Sequence, residues 1–329
     1  MIGRRQMIAG LASVGLGVPR AALADASWDM PTPYTDGTFH TQNIRWFVDE
    51  VAHSTSNGLR IQVHSNNALI RGPEILRAVS TGQVPAGEIL ISQFGNEEPV
   101  FELDAIPFLT ANRDQARSLY DVSKAAVEAA LRRRGVRMLY SVIWPSQAFF
   151  SKAPINSAAD MRGMKFRTGS PMTSRMAELL GAVPTVVQGS EIPQAFATNI
   201  VTGMVTSGAT GVQSRAWEFS TNFINLRAFM PKNAVIVNER AWQRLPEPVR
   251  TAITGKAAEA EERGWDLAVK AEADSVEELR KNGMIIVEPS PALLTDVRNV
   301  GNKLAEEWTV KTGELGKQLI DAYRAKVRA

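Results

Sequence analysis

The sequence contains no cysteine and only three histidines among its 329 residues. Without cysteine there is no disulfide bond, iron–sulfur cluster, thiolate zinc site or cysteine nucleophile. His40, His53 and His64 show no zinc-ligand spacing, so no metal site is predicted. The sequence also lacks a GxSxG motif, a Walker A motif and a GxGxxG motif after a strand. No cofactor and no nucleophile–base pair can be assigned, and we expect a protein that is not an enzyme.

The net charge is small and unevenly distributed. The chain has 37 Lys and Arg against 34 Asp and Glu, which gives a formal charge of +3. Residues 1–24 contain Arg4, Arg5 and Arg20 and no acidic residue. Subtracting these three from 37 leaves 34 basic residues against 34 acidic ones in the rest of the chain. The charge therefore gives no indication of a nucleic acid or a membrane as partner.

Residues 1–24 have the pattern of a secretory signal peptide. Arg4-Arg5 is followed by an apolar run over residues 7–18 and by Ala22-Leu23-Ala24. That run is shorter than the roughly 20 apolar residues that span a bilayer. The paired arginines fit a twin-arginine signal as well as an ordinary Sec signal. We expect cleavage near Ala24 and a periplasmic mature protein that is not embedded in the membrane.

Beyond this segment, short β-type runs alternate with helical ones. Residues 59–64 alternate apolar and polar positions as a strand does, and Gly72-Pro73 opens a helix that closes at Gly82. A further helix is predicted from Asn112 to Arg134. Such alternation favours an α/β fold with parallel sheets. Further strands are predicted at residues 88–94, 136–144, 164–168, 183–187, 201–207, 234–238 and 284–287.

Residues 249–281 form one Ala-, Glu- and Lys-rich stretch without proline. As a single helix it would be about 50 Å long, so we expect it to run across two domains. Gly255 and Gly264 are the positions where it would bend or break. Two lobes spanned in this way enclose a cleft suited to a small ligand. The predicted lobes are residues 25–144 with about 231–260, and residues 145–230 with about 261–329.

Several segments, in this order along the chain, carry a family resemblance. They include Ile106 to Leu109, Asp160 to Met172, Leu180 to Pro184 and Ser190 to Ala195. As an ordered set they resemble the solute-binding proteins of TRAP (tripartite ATP-independent periplasmic) transporters. The resemblance implies a two-lobed periplasmic-binding-protein fold with crossing strands and one long helix spanning both lobes. It also implies a monomer that captures a small organic acid and delivers it to membrane permease subunits.

The resemblance implies that Arg167 binds the ligand carboxylate, because a guanidinium offers paired N–H donors to its two oxygens. The alternative is a structural arginine paired with an aspartate. Many members carry a second ligand-binding arginine near the position of Gln147, and acidic or amide residues where Val205, Thr206 and Ser207 stand here. Their absence indicates a monocarboxylate, with an uncharged or aromatic remainder, rather than a dicarboxylate or a sialic acid.

The same residue-by-residue matching implies further ligand-binding candidates, with core packing as the alternative for the apolar ones. The candidates are Tyr34, Arg71, Gln93, Trp144, Gln147, Phe149, Met172, Thr206 and Trp217. Two other functions stay open at this point. One is a periplasmic sensor module that presents an organic acid to a signalling receptor, and the other is a periplasmic enzyme acting on organic acids. An ABC-type binding protein fits the composition but not the ordered motifs or the long helix.

Overall fold

The computed structural model describes residues 26–328, so the predicted signal peptide, residues 1–24, lies outside the described part. The strands are β1 (Ala26–Pro31), β2 (Leu59–His64), β3 (Ala86–Leu90), β4 (Val136–Ile143), β5 (Gln147–Ser151), β6 (Lys165–Thr168), β7 (Val183–Val186), β8 (Gly203–Ser207), β9 (Asn222–Ile224), β10 (Lys232–Asn238) and β11 (Ile285–Val287). The helices are α1 (Phe39–Ser54), α2 (Gly72–Thr81), α3 (Arg113–Arg133), α4 (Pro171–Leu179), α5 (Ile192–Ala197), α6 (Gly208–Gln213), α7 (Glu239–Arg244), α8 (Glu247–Lys281), α9 (Pro291–Thr312) and α10 (Glu314–Arg328).

The strands form three sheets, which confirms the α/β fold class. One sheet pairs β1 with β2, a second has the order β3-β10-β4, and a third has the order β11-β9-β5-β8-β6-β7. The two-stranded and the three-stranded sheets are adjacent, with β1 packed beside β3.

The prediction of parallel sheets is wrong in part, because two strands run against their neighbours. β10 is antiparallel to β3 and β4, and β5 is antiparallel to β8 and β9. The chain passes from β4 in the three-stranded sheet straight into β5 in the six-stranded one, and it returns through β10. These are the predicted crossing strands. Residues 147–151 were not predicted as a strand, because a short segment that is buried throughout shows no alternation.

The long helix α8 is continuous over 35 residues and contacts elements of both larger sheets. The indole N–H of Trp265 donates to Ser141 O in β4 at 2.9 Å. Farther along the helix, Ser275 packs against Gly208 at the start of α6. The prediction of one helix spanning both halves is therefore confirmed, and neither Gly255 nor Gly264 breaks it.

The C-terminal helices also join the two halves. α10 packs against α3, whereas α9 contacts both α4 and the 3-10 turn Pro99–Ala105. The predicted division assigned residues 261–329 to the second lobe, yet α10 lies on a helix of the first. Over residues 26–328, the structure contains no helix with the length and apolar character needed to cross a membrane.

Gly264 lies where α8 crosses β4, and the crossing is too close for a side chain. A Cβ built there would lie 2.4 Å from Val142 Cγ2 and 2.8 Å from the side-chain nitrogen of Asn43. Gly255, in the same helix, is exposed and has nothing within 4 Å of a built Cβ. The two glycines thus provide a matched pair for testing this packing.

We predict that Gly264→Ala lowers the free energy of unfolding by about 1–3 kcal/mol, because overpacking must move β4 or the helix. Gly255→Ala is expected to raise it by about 0.5–1 kcal/mol, since alanine favours an open helical position. Urea unfolding of both variants and the wild type measures these changes. Equal effects of the two substitutions would contradict the close crossing.

Candidate functional site

A cavity of about 330 Å³ lies between the three-stranded and the six-stranded sheets. β6, β7 and β8 are parallel neighbours, so their carboxyl ends meet at this cavity. Arg167 near the end of β6, Val187 just after β7, and Thr206 in β8 all line it. Trp144, between β4 and β5, and Gln147, at the start of β5, also line the cavity. Six predicted candidates line this cavity: Tyr34, Gln93, Trp144, Gln147, Arg167 and Thr206.

Four other candidates do not line the cavity. The Phe149 side chain is fully buried and packs edge-to-face on Phe166, with ring centroids 5.3 Å apart, because it lies deeper along β5 than Gln147. Met172 lines a separate cavity beside α9. Trp217 packs against a second apolar cluster on the far side of the six-stranded sheet. Arg71, the fourth, is exposed and forms a salt bridge that is described below.

Several polar lining residues were missed by the sequence reasoning. Asn66, Ser92, Gln188 and Gln213 all contribute to the wall. They lie in turns and at the ends of short elements, where no periodicity marks which way a side chain faces. Only the fold brings them together.

The Arg167 guanidinium is buried, at 8% exposure, and is held by backbone carbonyls. Its Nε donates to Val187 O at 2.9 Å and its Nη1 donates to Val205 O at 3.0 Å. These bonds use two of its five N–H donors, and the other three have no hydrogen-bond partner among residues 26–328. Gly169 lies beneath the group, where a built Cβ would be 3.5 Å from Nη2. The guanidinium is thus fixed in position while part of it stays available to the cavity.

Arg167 carries the cavity's charge without a counter-ion from the described part of the chain. Within residues 26–328, no acidic side chain forms a salt bridge with it, and every other residue lining the cavity is uncharged. Burial lowers the pKa of Arg167 to about 10, so the group still carries its proton at neutral pH. A buried cation without a partner is costly and favours an anion from outside. The structural alternative, an aspartate partner, is not seen in the described part of the chain.

The helix that follows Arg167 is shaped by a local capping pattern. Ser170 accepts a hydrogen bond from the Thr173 backbone N–H at 3.3 Å, and Pro171 occupies the first turn of α4. The Gly169 and Ser170 N–H groups in turn donate to Thr173 Oγ1. This network fixes the chain directly after the arginine and covers one side of the cavity.

On the opposite wall, Trp144 and Tyr34 are backed by a buried polar network. The indole N–H of Trp144 donates to Asn233 Oδ1 at 2.8 Å, and the phenol of Tyr34 donates to the same oxygen at 3.2 Å. The Asn233 amide donates to Glu88 Oε1 at 2.8 Å, and Thr32 donates to Glu88 Oε2 at 2.5 Å. Hydrogen bonds to Asn233, and from Asn233 to Glu88, therefore hold the Trp144 and Tyr34 side chains of this wall in position.

Burial raises the pKa of Glu88 to about 7, although its hydrogen bonds from Thr32 and Asn233 act in the opposite direction. His40 Nδ1 lies 3.6 Å from Glu88 Oε1, but burial lowers the pKa of His40 well below its usual value. The contact is therefore not an ion pair at neutral pH. Glu88 is a buried carboxyl group that titrates close to neutrality behind the cavity.

Three polar contacts join the two halves at the rim. Arg71 Nη2 donates to Glu191 Oε1 at 2.7 Å. Asn67 donates to the Ser190 hydroxyl at 3.0 Å, and the Thr38 hydroxyl donates to the Gln213 amide oxygen at 2.9 Å. In each pair, one partner lies beside the three-stranded sheet and the other beside the six-stranded sheet. Arg71 is thus an exposed residue at the rim, where its partner Glu191 adjoins Ser190 of the cavity lining.

The site can bind an anion with a neutral polar or apolar remainder. Among the residues lining the cavity, no pair is joined as a nucleophile and its base. Across residues 26–328, no group of three His, Asp or Glu side chains is placed to hold a metal ion.

Comparison with known proteins identifies relatives over most of the chain. The model of the family described as bacterial extracellular solute-binding protein, family 7, matches residues 33–311. DctP7 of Bordetella pertussis, an extracytoplasmic solute receptor binding pyroglutamic acid, is 40% identical with a TM-score of 0.90, over 91% of this chain and 99% of that one. A marine metagenome TRAP solute-binding protein with co-purified pyroglutamate is 32% identical with a TM-score of 0.90, over 92% and 99% of the two chains. The C4-dicarboxylate-binding periplasmic protein DctP of Rhodobacter capsulatus is 25% identical over 71% of this chain and 72% of its own length.

We predict that Glu88 makes stability depend on pH. The pKa of the Glu88 carboxyl group is higher in the folded protein than in the unfolded chain. Protonation of Glu88 therefore stabilises the folded protein at low pH, and this stabilisation is lost as the pH rises from about 4.5 through about 7. Between pH 5 and pH 8, the free energy of unfolding of the wild type should fall relative to that of Glu88→Gln. Urea melts of both proteins at the two pH values measure the difference. A difference that stays constant with pH would contradict the assignment.

Proposed function

Because the chain belongs to the family 7 bacterial extracellular solute-binding proteins, the receptors of TRAP transporters, we propose that it binds a small monocarboxylate against Arg167. The observation that carries this proposal is the buried guanidinium in an otherwise uncharged cavity, with three N–H donors that no described residue uses. A ligand carboxylate would supply the missing counter-ion and accept paired hydrogen bonds. A second carboxylate would find no second cation among the residues that line the cavity.

Within that class, the proposed ligand is pyroglutamate. It is a compact five-membered lactam with one carboxylate, one N–H and one carbonyl. Relatives at 40% and 32% identity bind it, which supports the choice. The neutral side chains of Gln93, Gln147 and Thr206 offer hydrogen-bonding groups for a lactam, and Trp144 offers an apolar face. One N–H of the Gln147 amide donates to Pro145 O at 2.9 Å, so its oxygen is left to accept and its second N–H to donate.

Capture would couple ligand binding to closure of the two halves. The carboxylate neutralises Arg167 from the side of the six-stranded sheet, while Tyr34 and Trp144 approach from the other sheet. The rim contacts then close over the ligand, and no covalent bond is made or broken. We infer that the receptor is exported, is cleaved near Ala24, and delivers the ligand as a monomer to membrane permease subunits. Membership of the TRAP receptor family favours this role over presentation to a signalling receptor.

The ligand proposal is tested by calorimetric titration and thermal shift with pyroglutamate. The wild type should bind it and gain apparent thermal stability, because the ligand binds only the folded state. Arg167→Met should weaken binding by at least about 30-fold, as expected for removing one partner of a buried charge pair. Arg175→Met is the matched control, since Arg175 pairs with Glu307 and Glu178 outside this cavity.

The same proposal can be tested without altering the protein. The carboxamide of pyroglutamate keeps the ring and removes the charge, so the wild type should bind it much more weakly. Undiminished binding of the carboxamide, or of pyroglutamate by Arg167→Met, would refute the anchor. Binding of a dicarboxylate but not pyroglutamate would refute the proposed ligand.

We further predict that Arg71 slows ligand release. Arg71→Ala removes the rim salt bridge with Glu191, which as an exposed pair is worth about 0.2–1 kcal/mol. The dissociation rate should rise about 1.5- to 5-fold with little change in association, as measured by stopped-flow tryptophan fluorescence. Arg132→Ala is the control, because its salt bridge with Glu128 lies within α3. An equal effect of both variants would show that the rim bridge does not hold the closed form.

A further inference from the structure

The orientation of the Asn233 side-chain amide is fixed by Trp144. The indole N–H of Trp144 is only a donor, so the atom it meets at 2.8 Å must be the amide oxygen. With the oxygen placed there, the amide nitrogen at the opposite end donates to Glu88 Oε1 at 2.8 Å. A flipped amide would set its N–H groups against the Trp144 N–H and break that hydrogen bond, so Trp144 fixes the orientation.

This orientation fixes the role of the Tyr34 hydroxyl group. Its oxygen lies 3.2 Å from Asn233 Oδ1, an acceptor, so the phenol must donate its one hydrogen there. Two lone pairs remain on the oxygen, and the Trp144 N–H, which is directed mainly at Asn233, can share at most one of them. Tyr34, whose side chain lines the cavity, thus has a lone pair left to accept with and no hydrogen left to donate.

The Tyr34 oxygen lies within the electrostatic reach of Arg167. The charge of Arg167 acts to lower the pKa of Tyr34, but burial and the charge of Glu88 raise it overall, so the group stays an un-ionised phenol. No hydrogen bond joins Tyr34 to Arg167 among the described residues, which leaves the lone pair available. The cavity therefore offers an anion site and, near it, a neutral acceptor.

We propose that Tyr34 is a specificity-determining residue that accepts a hydrogen bond from an N–H of the ligand near its carboxylate. This proposal rests on the proposed function and deepens it. The selected class is acids whose carboxylate neighbours an N–H donor, as in a lactam. An acid with a ring oxygen in place of that N–H would set two lone pairs against each other and leave the Tyr34 oxygen unpaired.

The test compares two pairs of acids that differ only in N–H against O. One pair is pyroglutamate and its lactone counterpart, and the other is the pyrrole and furan carboxylates with the acid group next to the heteroatom. Calorimetric titration of the wild type should show that the N–H member of a bound pair is preferred by about 10-fold or more. In Tyr34→Phe the preference should fall to within about 2-fold.

Tyr140→Phe is the matched control for the variant. Tyr140 is buried outside the cavity, and its hydroxyl has no hydrogen-bond partner among the described residues. The Tyr140→Phe variant should keep the wild-type preference for the N–H member of each pair. Tyr34→Phe leaves Asn233 Oδ1 bonded to Trp144, so the variant should fold, and its thermal unfolding without ligand would show that it does.

The outcomes separate this inference from the proposed function. If the wild type binds pyroglutamate and its lactone equally, or if Tyr34→Phe keeps the preference, the role of Tyr34 is overturned and the ligand stands. If pyroglutamate does not bind but the pyrrole carboxylate is preferred over the furan carboxylate, the ligand is overturned and the role of Tyr34 stands. If no member of either pair binds, both are overturned.

Discussion

The architecture of the site depends on one buried charge, the guanidinium of Arg167. Hydrogen bonds to the carbonyls of Val187 and Val205 hold the group, but a carbonyl dipole does not cancel a full charge. Desolvating a cation without a counter-ion costs several kcal/mol. Under the proposed function, the carboxylate of the ligand offsets this cost, so that the unfavourable group makes the cavity selective for an anion.

The fold supplies the rigidity that such a charge needs. Arg167 lies on β6, which is held between β7 and β8, and the capped start of α4 follows directly. Across the cavity, the second wall is fixed by Asn233 and Glu88 behind Trp144 and Tyr34. One wall therefore presents positive charge and the other presents neutral groups. The long helix α8 and the crossing strands connect these walls, so a ligand that contacts both can couple binding to closure.

The sequence predicted the elements whose signals are local. The strand at residues 59–64, the helix between Gly72 and Gly82, and the 35-residue α8 all have boundaries marked by alternation, glycine, proline or length. β5 was missed because five buried residues show no period. Because β10 and β5 run against their neighbours, the three-stranded sheet has only antiparallel pairs and the six-stranded sheet is mixed, which no local pattern indicates.

Side-chain direction was harder to predict than position along the chain. Arg167 and Gln147 lie at the ends of strands that meet at the cavity, and both line it. Phe149, only two residues beyond Gln147, is fully covered by the core. Arg71 is at the rim because a glutamate far along the chain pairs with it. Such outcomes depend on partners that only the tertiary structure brings close.

The binding role of Arg167 is tested most directly by a crystal structure of the protein with pyroglutamate. The predicted result places the ligand carboxylate oxygens about 3 Å from the free N–H groups of Arg167, with the carbonyl contacts to Val187 and Val205 retained. A ligand bound with its carboxylate directed elsewhere, or an Arg167 guanidinium that stays without an anionic partner in the complex, would contradict it.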